Sequence, residues 1–527
     1  MSLFLIAPFT GLVGKPSAGK STFFNACKTH GTNAARVGGF PFTTIEPNVG
    51  RAAVRFYWPT VIQTDTGNRM FELDVFIKDV AGLVKGAYQG RGRGNKFLDD
   101  LCGADVLVHV LDGSGDTDEE GNSSSGMGNP ENEIAWVYAE IHRWISDNVL
   151  TKWHMVVRKN TRDAIGSLFT GYRNVKEDVD RSAALAGLQI EDNKAKEGRK
   201  DFIEWTKEDV HRLVGFFLRL RFPILIGFNK CDDERSVAHL KTVRQKYKHE
   251  IVVPMSAMVE NILLSRMAGK RRAGGNGGKG GKEKEEEQEQ EKDNNAPNAT
   301  HDSSDIHIEM PNTTPAAQIE VEDAMISKCF QMLGNDTGVR DCVDKAVSLQ
   351  RPVVIYVVRI ALKTSSNITL VPGDVVPLLF RRGVTPYDVY RHLLHTDNAD
   401  IRLSGDFVRS EYISMAGVRT VIKKQKTIDA EEQCVLKIYV AKTSNWQKNG
   451  GGGGGGATTK KKSLHSSKGG GESGESGGSG ESGGGRAEKR LASRNKLIKK
   501  LHKSADRQGK NKGNKGTGQD RRTGNIG

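Results

Sequence analysis

Short apolar segments alternate with polar and amphipathic segments through the first half of the chain. Several are apolar at nearly every position, which is typical of strands covered on both faces of a sheet. The predicted strands are residues 10–13, 49–58, 71–78, 105–111, 223–228 and 250–255. Strands separated by helices, with polar motifs after their carboxyl ends, predict a doubly wound α/β sheet that binds its ligand at that edge.

A helical period replaces this pattern between residues 130 and 218. Apolar side chains recur there every three or four positions, as on one face of a helix. The apolar positions are Ile134, Val137, Ile141, Trp144 and Ile145 at the start and Val210, Leu213, Val214 and Phe217 at the end. The pattern predicts a largely helical insertion between two strands of the sheet.

Composition divides the rest of the chain. Residues 269–314 are rich in Gly, Lys, Glu, Gln and Asn and cannot bury enough apolar surface to fold, so we predict a disordered insert. Residues 320–368 are expected to return to the first domain, which spans 10–265. Residues 370–442 have the pattern of a small α/β unit, and residues 449–527 are a Gly/Ser-rich linker with a basic end, predicted to be disordered.

The positive charge is concentrated in that last segment. The chain has a net charge of +14, and residues 449–527 hold 18 Lys/Arg and 6 Asp/Glu, a net charge of +12. Gly-interrupted basic segments bind phosphate backbones without sequence preference, so residues 486–503 could form a basic helix on RNA. A solvated tail or a nuclear-import patch explains the same residues equally well.

Cysteine usage and hydropathy indicate the kind of cellular compartment in which the protein is found. The six cysteines show no C-x-x-C spacing, which argues against zinc sites and a disulfide framework and fits a reducing environment. No stretch is long and apolar enough to cross a bilayer, and the apolar residues 3–7 lack a basic flank and a cleavage site. We expect a cytoplasmic protein with no membrane partner, and nuclear access through the basic tail.

Residues 14–21 fit G-x-x-x-x-G-K-[S/T], the phosphate-binding loop. Backbone N–H groups of such a loop converge on phosphate oxygens, and the helix that follows points its positive dipole end at them. Lys20 would reach the β- and γ-phosphates, and Ser21 would place its hydroxyl on Mg²⁺. The predicted nucleotide-binding residues here are Gly14, Lys15, Pro16, Ser17, Ala18, Gly19, Lys20, Ser21 and Thr22.

A second motif, D-x-x-G, follows the strand at residues 71–78. Asp79 could hold Mg²⁺ through water, and the Gly82 N–H, together with Lys20, could contact the γ-phosphoryl group. In Ras a glutamine after this glycine orients the attacking water. Leu83 stands there, and its side chain can neither donate nor accept a hydrogen bond, so we expect slow unassisted hydrolysis of the nucleotide and an activating partner that completes the site.

The third motif, N-K-x-D at residues 229–232, decides the base. One carboxylate accepts both N1–H and N2–H of guanine, whereas adenine offers a donor and a lone pair, so Asp232 would select guanine. Asn229 would tie the base to the phosphate loop, and the aliphatic part of Lys230 would cover the ring. Backbone N–H groups at Ser256 and Ala257 could meet guanine O6.

Longer strings around these motifs resemble the Obg-like GTPases, most closely the YchF-type branch in its archaeal and eukaryotic form. The strings are residues 14–25, 40–50, 79–101 and 112–122. The resemblance covers roughly 10–265 and 320–442 and implies a GTPase domain with a helical insertion and a C-terminal ubiquitin-like TGS domain. It implies GTP, GDP and Mg²⁺ as ligands and a role on ribosomes or in translation.

The same resemblance implies that a threonine of the Phe-Thr-Thr stretch ligates Mg²⁺ and senses the γ-phosphate; Thr44 is the first choice and Thr43 the second. Ser17 stands where the family usually has an asparagine linked to a monovalent cation, which puts potassium dependence in doubt. Some YchF relatives have lost N-K-x-D and prefer ATP; because Asp232 and its motif are intact, GTP is expected here.

Three functions stay open on these residues. The first is a slow GTP-hydrolysing switch, the second an RNA-binding or scaffold protein with a structural nucleotide, and the third an ATPase of the YchF type. The second function stays open because the Leu83 side chain cannot orient a water for hydrolysis. A rearranged loop carrying Arg91 and Arg93 could complete a hydrolytic site, although a solvated loop is the commoner role of such arginines.

Overall fold

The structure is a computed structural model. It describes residues 8–29, 34–35, 46–60, 62–64, 69–89, 99–123, 128–172, 175–190, 202–274, 314–359, 370–414, 418–428 and 434–441. The predicted threonines of the magnesium site, Thr43 and Thr44, lie outside these residues, as do Arg91, Arg93 and the whole of the basic tail.

A six-stranded sheet carries the first domain, in the order β2-β3-β1-β4-β5-β6. Its strands are β1 (Phe9–Val13), β2 (Asn48–Tyr57), β3 (Met70–Asp79), β4 (Val106–Asp112), β5 (Ile224–Asn229) and β6 (Val252–Pro254). All neighbours are parallel except β2, which runs antiparallel to β3. Strand β4 is buried along its whole length because helices cover both faces. The predicted doubly wound α/β fold is confirmed.

Helices cover the sheet and form the insertion. The helices are α1 (Lys20–Cys27), α2 (Pro130–Thr151), α3 (Trp153–Lys159), α4 (Arg162–Leu168), α5 (Val175–Leu185), α6 (Lys207–Arg221), α7 (Arg235–Lys246), α8 (Ala257–Gly274), α9 (Pro315–Leu333), α10 (Val339–Leu349) and α11 (Pro386–Leu394). Helices α2 to α6 lie between β4 and β5 and share one apolar core with the adjacent face of the sheet.

Local sequence fixes where α2 begins. The Asn129 side chain accepts hydrogen bonds from the N–H groups of Glu131 and Asn132, and Pro130 occupies the first turn, where a missing N–H costs nothing. The helix then runs for 22 residues and buries an apolar face against the other insertion helices. Its first turns therefore lie beside the carboxyl edge of the sheet.

A second sheet, in the order β10-β9-β11-β7-β8, packs on α11. Its strands are β7 (Val353–Val358), β8 (Val375–Phe380), β9 (Asp406–Ile413), β10 (Arg419–Ile422) and β11 (Cys434–Ala441). The assignment of residues 320–368 to the first domain is therefore corrected at β7, which pairs with β8 and β11. A strand that is apolar at every position does not reveal which sheet it joins, and this strand is buried on both faces.

The predicted start of the disordered insert, residue 269, is also too early in the sequence. Helix α8 continues to Gly274, so the first residues assigned to the insert, from 269, are helical. Lys270, Arg271 and Arg272 have a high helix propensity, so the helix extends past its last apolar residues. The rest of the insert, up to residue 313, lies outside the described residues.

Aromatic side chains join the two sheets. The Trp58 ring lies 4.3 Å from Phe71 and 5.7 Å from Tyr356 of β7, measured between ring centroids. The N–H of Gln63 donates to Leu370 O over 2.8 Å beside them. Aromatic pairs of this kind contribute about 0.5–1.5 kcal/mol each beyond their buried area. The second unit is thus packed against the outer strands of the first domain. No helix within the described ranges is long and apolar enough to span a membrane.

Candidate nucleotide-binding site

The loop between β1 and α1 has a backbone that only small residues allow. Gly14 and Gly19 have φ angles of +148° and +95°. A Cβ at Gly14 would lie 2.4 Å from Val110 O, and one at Gly19 would lie 2.3 Å from Asn229 Nδ2. Ser17 also has a positive φ, of +59°. Close contact with β4 and β5 therefore fixes the loop that the sequence predicts to hold phosphate.

The Lys20 ammonium lies inside this loop. It donates to Gly14 O over 3.1 Å and to Lys15 O over 2.8 Å. Burial lowers the pKa of Lys20 to about 8, and the negative charges of Asp79 and Glu133 offset part of that effect. A buried ammonium with two replaceable carbonyl partners is suited to accept phosphate oxygens in their place.

Ser21 and Asp79 are brought together across 58 residues of sequence. The Ser21 hydroxyl donates to Asp79 Oδ2 over 2.7 Å, and the Asn48 amide approaches the same oxygen at 3.4 Å. Mg²⁺ prefers a few oxygen ligands from protein, with water and phosphate completing its shell. A hydroxyl and a carboxylate at the mouth of a phosphate loop fit that ion, and within the described residues no group of three His, Cys, Asp or Glu side chains forms a closed metal cage.

The segment after β3 closes against the phosphate loop. A Cβ at Gly82 would lie 2.6 Å from Pro16 Cγ, so only glycine lets the two backbones approach this closely. The Leu83 N–H donates to Gly14 O over 2.9 Å. The Leu83 side chain is only 1% exposed and packs into the core of the helical insertion. It is therefore directed away from any attacking water.

Asn229 and Asp232 face the loop from the end of β5. The Asn229 side chain donates to Ala18 O and accepts from the Ala257 N–H, both at 3.0 Å, so it ties the phosphate loop to the segment after β6. The Ser256 hydroxyl donates to Asp232 Oδ1 over 2.5 Å. Burial raises the pKa of Asp232 and the bond from Ser256 opposes this. The arrangement leaves a carboxylate at the position where it could accept from a base edge.

Comparison with known proteins agrees with this geometry. Residues 9–144 match the family described as 50S ribosome-binding GTPase. The chain is 37% identical over 274 residues to an uncharacterised GTP-binding protein of Schizosaccharomyces pombe, covering 49% of this chain and 63% of that protein. It is 34% identical over 262 residues to a GTP-binding protein of Methanocaldococcus jannaschii, covering 47% and 63%. It is 31% identical over 229 residues to the ribosome-binding ATPase YchF of Bacillus subtilis, covering 42% and 57%.

Residues 9–144 form a P-loop GTPase domain, and the chain is similar in sequence to GTP-binding proteins and to a YchF protein. The matched segments span 63% of the length of the first two relatives. The resemblance stated from the sequence strings is thereby confirmed for the domain and its phosphate loop.

A buried carboxylate that sequence reasoning missed lies at the centre of the candidate nucleotide-binding site. Asp112, at the end of β4, is fully buried, and its Oδ1 lies 2.9 Å from Lys230 Nζ while its Oδ2 lies 3.7 Å from Lys15 Nζ. Burial alone would raise the pKa of Asp112, but Lys230, Lys15 and the hydroxyls of Thr117 and Ser114 lower it to about 2. Asp112 therefore stays ionised and joins the phosphate loop to the N-K-x-D loop at residues 229–232.

The Lys15 side chain, to which the sequence assigned no separate role, lies against the segment after β4 and against α2. Its ammonium donates to Thr117 O over 2.7 Å and lies 3.3 Å from the Glu133 carboxylate. Both side chains are almost completely buried. Lys15 thus attaches the phosphate loop to α2 through its side chain.

Replacing Asp112 with asparagine is expected to destabilise the protein by about 3 kcal/mol at pH 7, because Lys15 then stays buried without one of its counter-charges. The folded-state pKa of about 2 lies below the ordinary value of 3.8. The stabilisation is therefore present above about pH 4 and is lost as the pH falls through about 2. Denaturant unfolding of the wild type and Asp112→Asn at pH 7, 4 and 2 measures this; a constant difference across that range would contradict the assignment.

Proposed function

We propose that the protein binds GTP with Mg²⁺ and hydrolyses it slowly to GDP and phosphate, as a switch that contacts ribosomal or other RNA. The observation that carries the proposal is the convergence of Asp232, Asn229 and the phosphate loop at one edge of the sheet.

The hydrolytic step would depend on positioning and charge neutralisation. Ser21 and Asp79 would hold Mg²⁺, with Thr44 as the third residue, and the ion would neutralise phosphate charge. The Lys20 ammonium and the Gly82 N–H would contact the γ-phosphoryl group. The Leu83 side chain offers no group to orient the attacking water. A partner would therefore supply the donor or acceptor that orients it.

The name of the Bacillus subtilis relative raises ATP as the alternative. Asp232 disfavours it, since an ionised carboxylate beside adenine would face a ring lone pair in place of a second donor. Titration of the wild type with GTP and ATP in Mg²⁺ separates the two. Tighter binding of ATP than of GTP would overturn the base assignment.

Single-turnover hydrolysis with and without ribosomes tests the switch. The unassisted rate is expected below about 10⁻² s⁻¹, in the range of GTPases that await an arginine or glutamine from a partner. Ribosomes should raise the rate at least tenfold. Many turnovers per second by the protein alone would exclude a slow switch, and bound GTP that persists on ribosomes would favour the scaffold function.

The part of the second sheet that lies beyond its contact with the first domain supports an RNA partner. Alternate residues of β9 and β11 face away from α11, and these include Arg409, Lys437 and Tyr439. The Arg409 guanidinium lies 4.4 Å from the Tyr439 ring and Lys437 Nζ lies 5.1 Å from it. Arg419 on β10 is exposed on the same face, opposite Ile413, and Glu411 pairs with Arg409. A face of cations around an aromatic ring suits single-stranded RNA, whose bases stack while its phosphates pair.

Reversing two of these charges should weaken RNA binding and flatten its salt dependence. Arg409→Glu with Lys437→Glu should lower the slope of log K against log salt by about two, one for each lost phosphate contact. Lys241→Glu, on exposed α7, is the matched control. A chain shortened to residue 448 separates this face from the basic tail; loss of all RNA binding on shortening alone would place the contact in the tail.

A further inference from the structure

Helix α2 carries two buried glutamates on the face that it turns toward the nucleotide site. Glu133 is 2% exposed and Glu140 is 3% exposed. They are seven residues apart, which is close to two helical turns, so their side chains project along the same side of the helix. Buried carboxylates are rare unless they are paired, and each of these has partners outside the insertion.

Glu133 holds the phosphate loop. Its Oε2 lies 3.3 Å from Lys15 Nζ and its Oε1 lies 3.4 Å from His109 Nε2 on β4. Lys15 is the second residue of the loop, directly before Pro16. An ion pair with both side chains buried is sensitive to loss of either partner, because the remaining charge has no water to solvate it.

Glu140 holds the segment that follows Gly82. Its Oε1 accepts from the Gly86 N–H over 2.7 Å and its Oε2 accepts from the Tyr88 N–H over 3.2 Å. One turn further along α2, the Arg143 guanidinium lies 5.5 Å from the Tyr88 ring. Hydrogen bonds from backbone N–H to a carboxylate are about twice as strong as neutral ones. The two bonds fix the backbone four and six residues after Gly82.

Apolar packing reinforces the same attachment. Leu83 and Ala87 are buried in one cluster with Val137 and Ile141 of α2. Leu83, which occupies the position of the water-orienting glutamine, is thus buried in the core of the insertion. Movement of this segment would disturb the Glu140 bonds and the packing of α2 together.

We propose that Glu133 and Glu140 are positioning residues, through which α2 couples the helical insertion to the state of the nucleotide. This rests on the proposed function. Glu133 acts through the phosphate loop, which contacts both GTP and GDP, so its loss should affect both nucleotides alike. Glu140 acts through the segment after Gly82, which in the proposed function would contact only the γ-phosphate, so its loss should affect GTP alone.

A graded pair of substitutions tests the role of Glu140. Glu140→Gln keeps one acceptor, and Glu140→Ala removes both. GTP affinity should fall about tenfold in the first and about a hundredfold in the second, with GDP affinity unchanged. The amides of Gly86 and Tyr88 should exchange hydrogen faster in both variants. Glu133→Gln should instead weaken GTP and GDP by the same factor.

Glu131→Gln is the matched control, since Glu131 is on the same helix but pairs with Lys246 on the outside. Equal losses of GTP and GDP affinity in the Glu140 variants, or amide exchange no faster than in Glu131→Gln, would overturn the inference while the proposed function stands. Wild-type protein that binds neither GTP nor GDP would overturn the proposed function, and amide exchange in the nucleotide-free Glu140 variants would still decide whether α2 holds the segment.

Discussion

Replacing Lys20 with methionine is expected to weaken GTP binding roughly 10²- to 10³-fold. The Lys20 ammonium lies on two carbonyl oxygens of the phosphate loop, Gly14 O and Lys15 O, where the negative phosphates would approach. Removing one partner of a buried, charged hydrogen-bonded pair costs about 2–5 kcal/mol, and each 1.4 kcal/mol is a factor of ten in affinity. Calorimetric titration with GTP and Mg²⁺ measures the loss.

The stability of the nucleotide-free variant is the control. Burial lowers the pKa of Lys20 to about 8, which means that the charged form is less stable in the folded protein than in water. Lys20→Met removes that cost while it keeps the aliphatic stem, so the variant should unfold at the wild-type temperature or above it. Near-wild-type GTP affinity in a folded variant would show that the phosphates bind elsewhere.

Replacing Asp232 with asparagine is expected to abolish the preference for guanine. Asparagine presents one acceptor and a donor, so the second guanine N–H loses its partner and GTP affinity should fall about 10²-fold or more. Xanthosine triphosphate carries an oxygen where guanine has its amino group, and it should bind the variant better than GTP does. Competition of GTP, xanthosine triphosphate and ATP for binding to the wild type and to the variant measures this change of preference.

Asp233→Asn is the matched control for this experiment, because Asp233 is the neighbouring carboxylate but pairs with Arg235 at the surface. It should leave the nucleotide preference as it is. Two outcomes would contradict the assignment of Asp232: a variant that keeps its preference for GTP, or equal effects of the two substitutions.

The sequence placed the phosphate loop, Asp79, Gly82 and N-K-x-D correctly in relation to the strands. Each of these motifs comes directly after a strand, and parallel strands bring their carboxyl ends to one edge. The pairing of Ser21 with Asp79 and of Asn229 with Ala18 follows from that topology. These residues could be grouped before any coordinates were available.

Asp112 and Glu140 were missed although each carried a signal. Asp112 ends a fully apolar strand at the same edge as the recognised motifs, so the rule that located Asp79 applies to it as well. Glu140 interrupts the apolar face that Val137 and Ile141 define, and a carboxylate in an apolar stripe requires a partner. What no pattern indicates is the identity of that partner, the N–H groups of Gly86 and Tyr88.

The sequence by itself determined the doubly wound fold of the first domain and the positions of the phosphate loop and the N-K-x-D motif, because these depend on local backbone chemistry and on strand order. Tertiary structure alone decided that β7 joins the second sheet, that the Lys15 side chain turns to Glu133, and that Leu83 anchors the insertion. These features depend on contacts between distant segments. The type of a buried side chain indicates that it requires an apolar or oppositely charged partner. Which residue provides that contact is decided only by the packing of the whole chain.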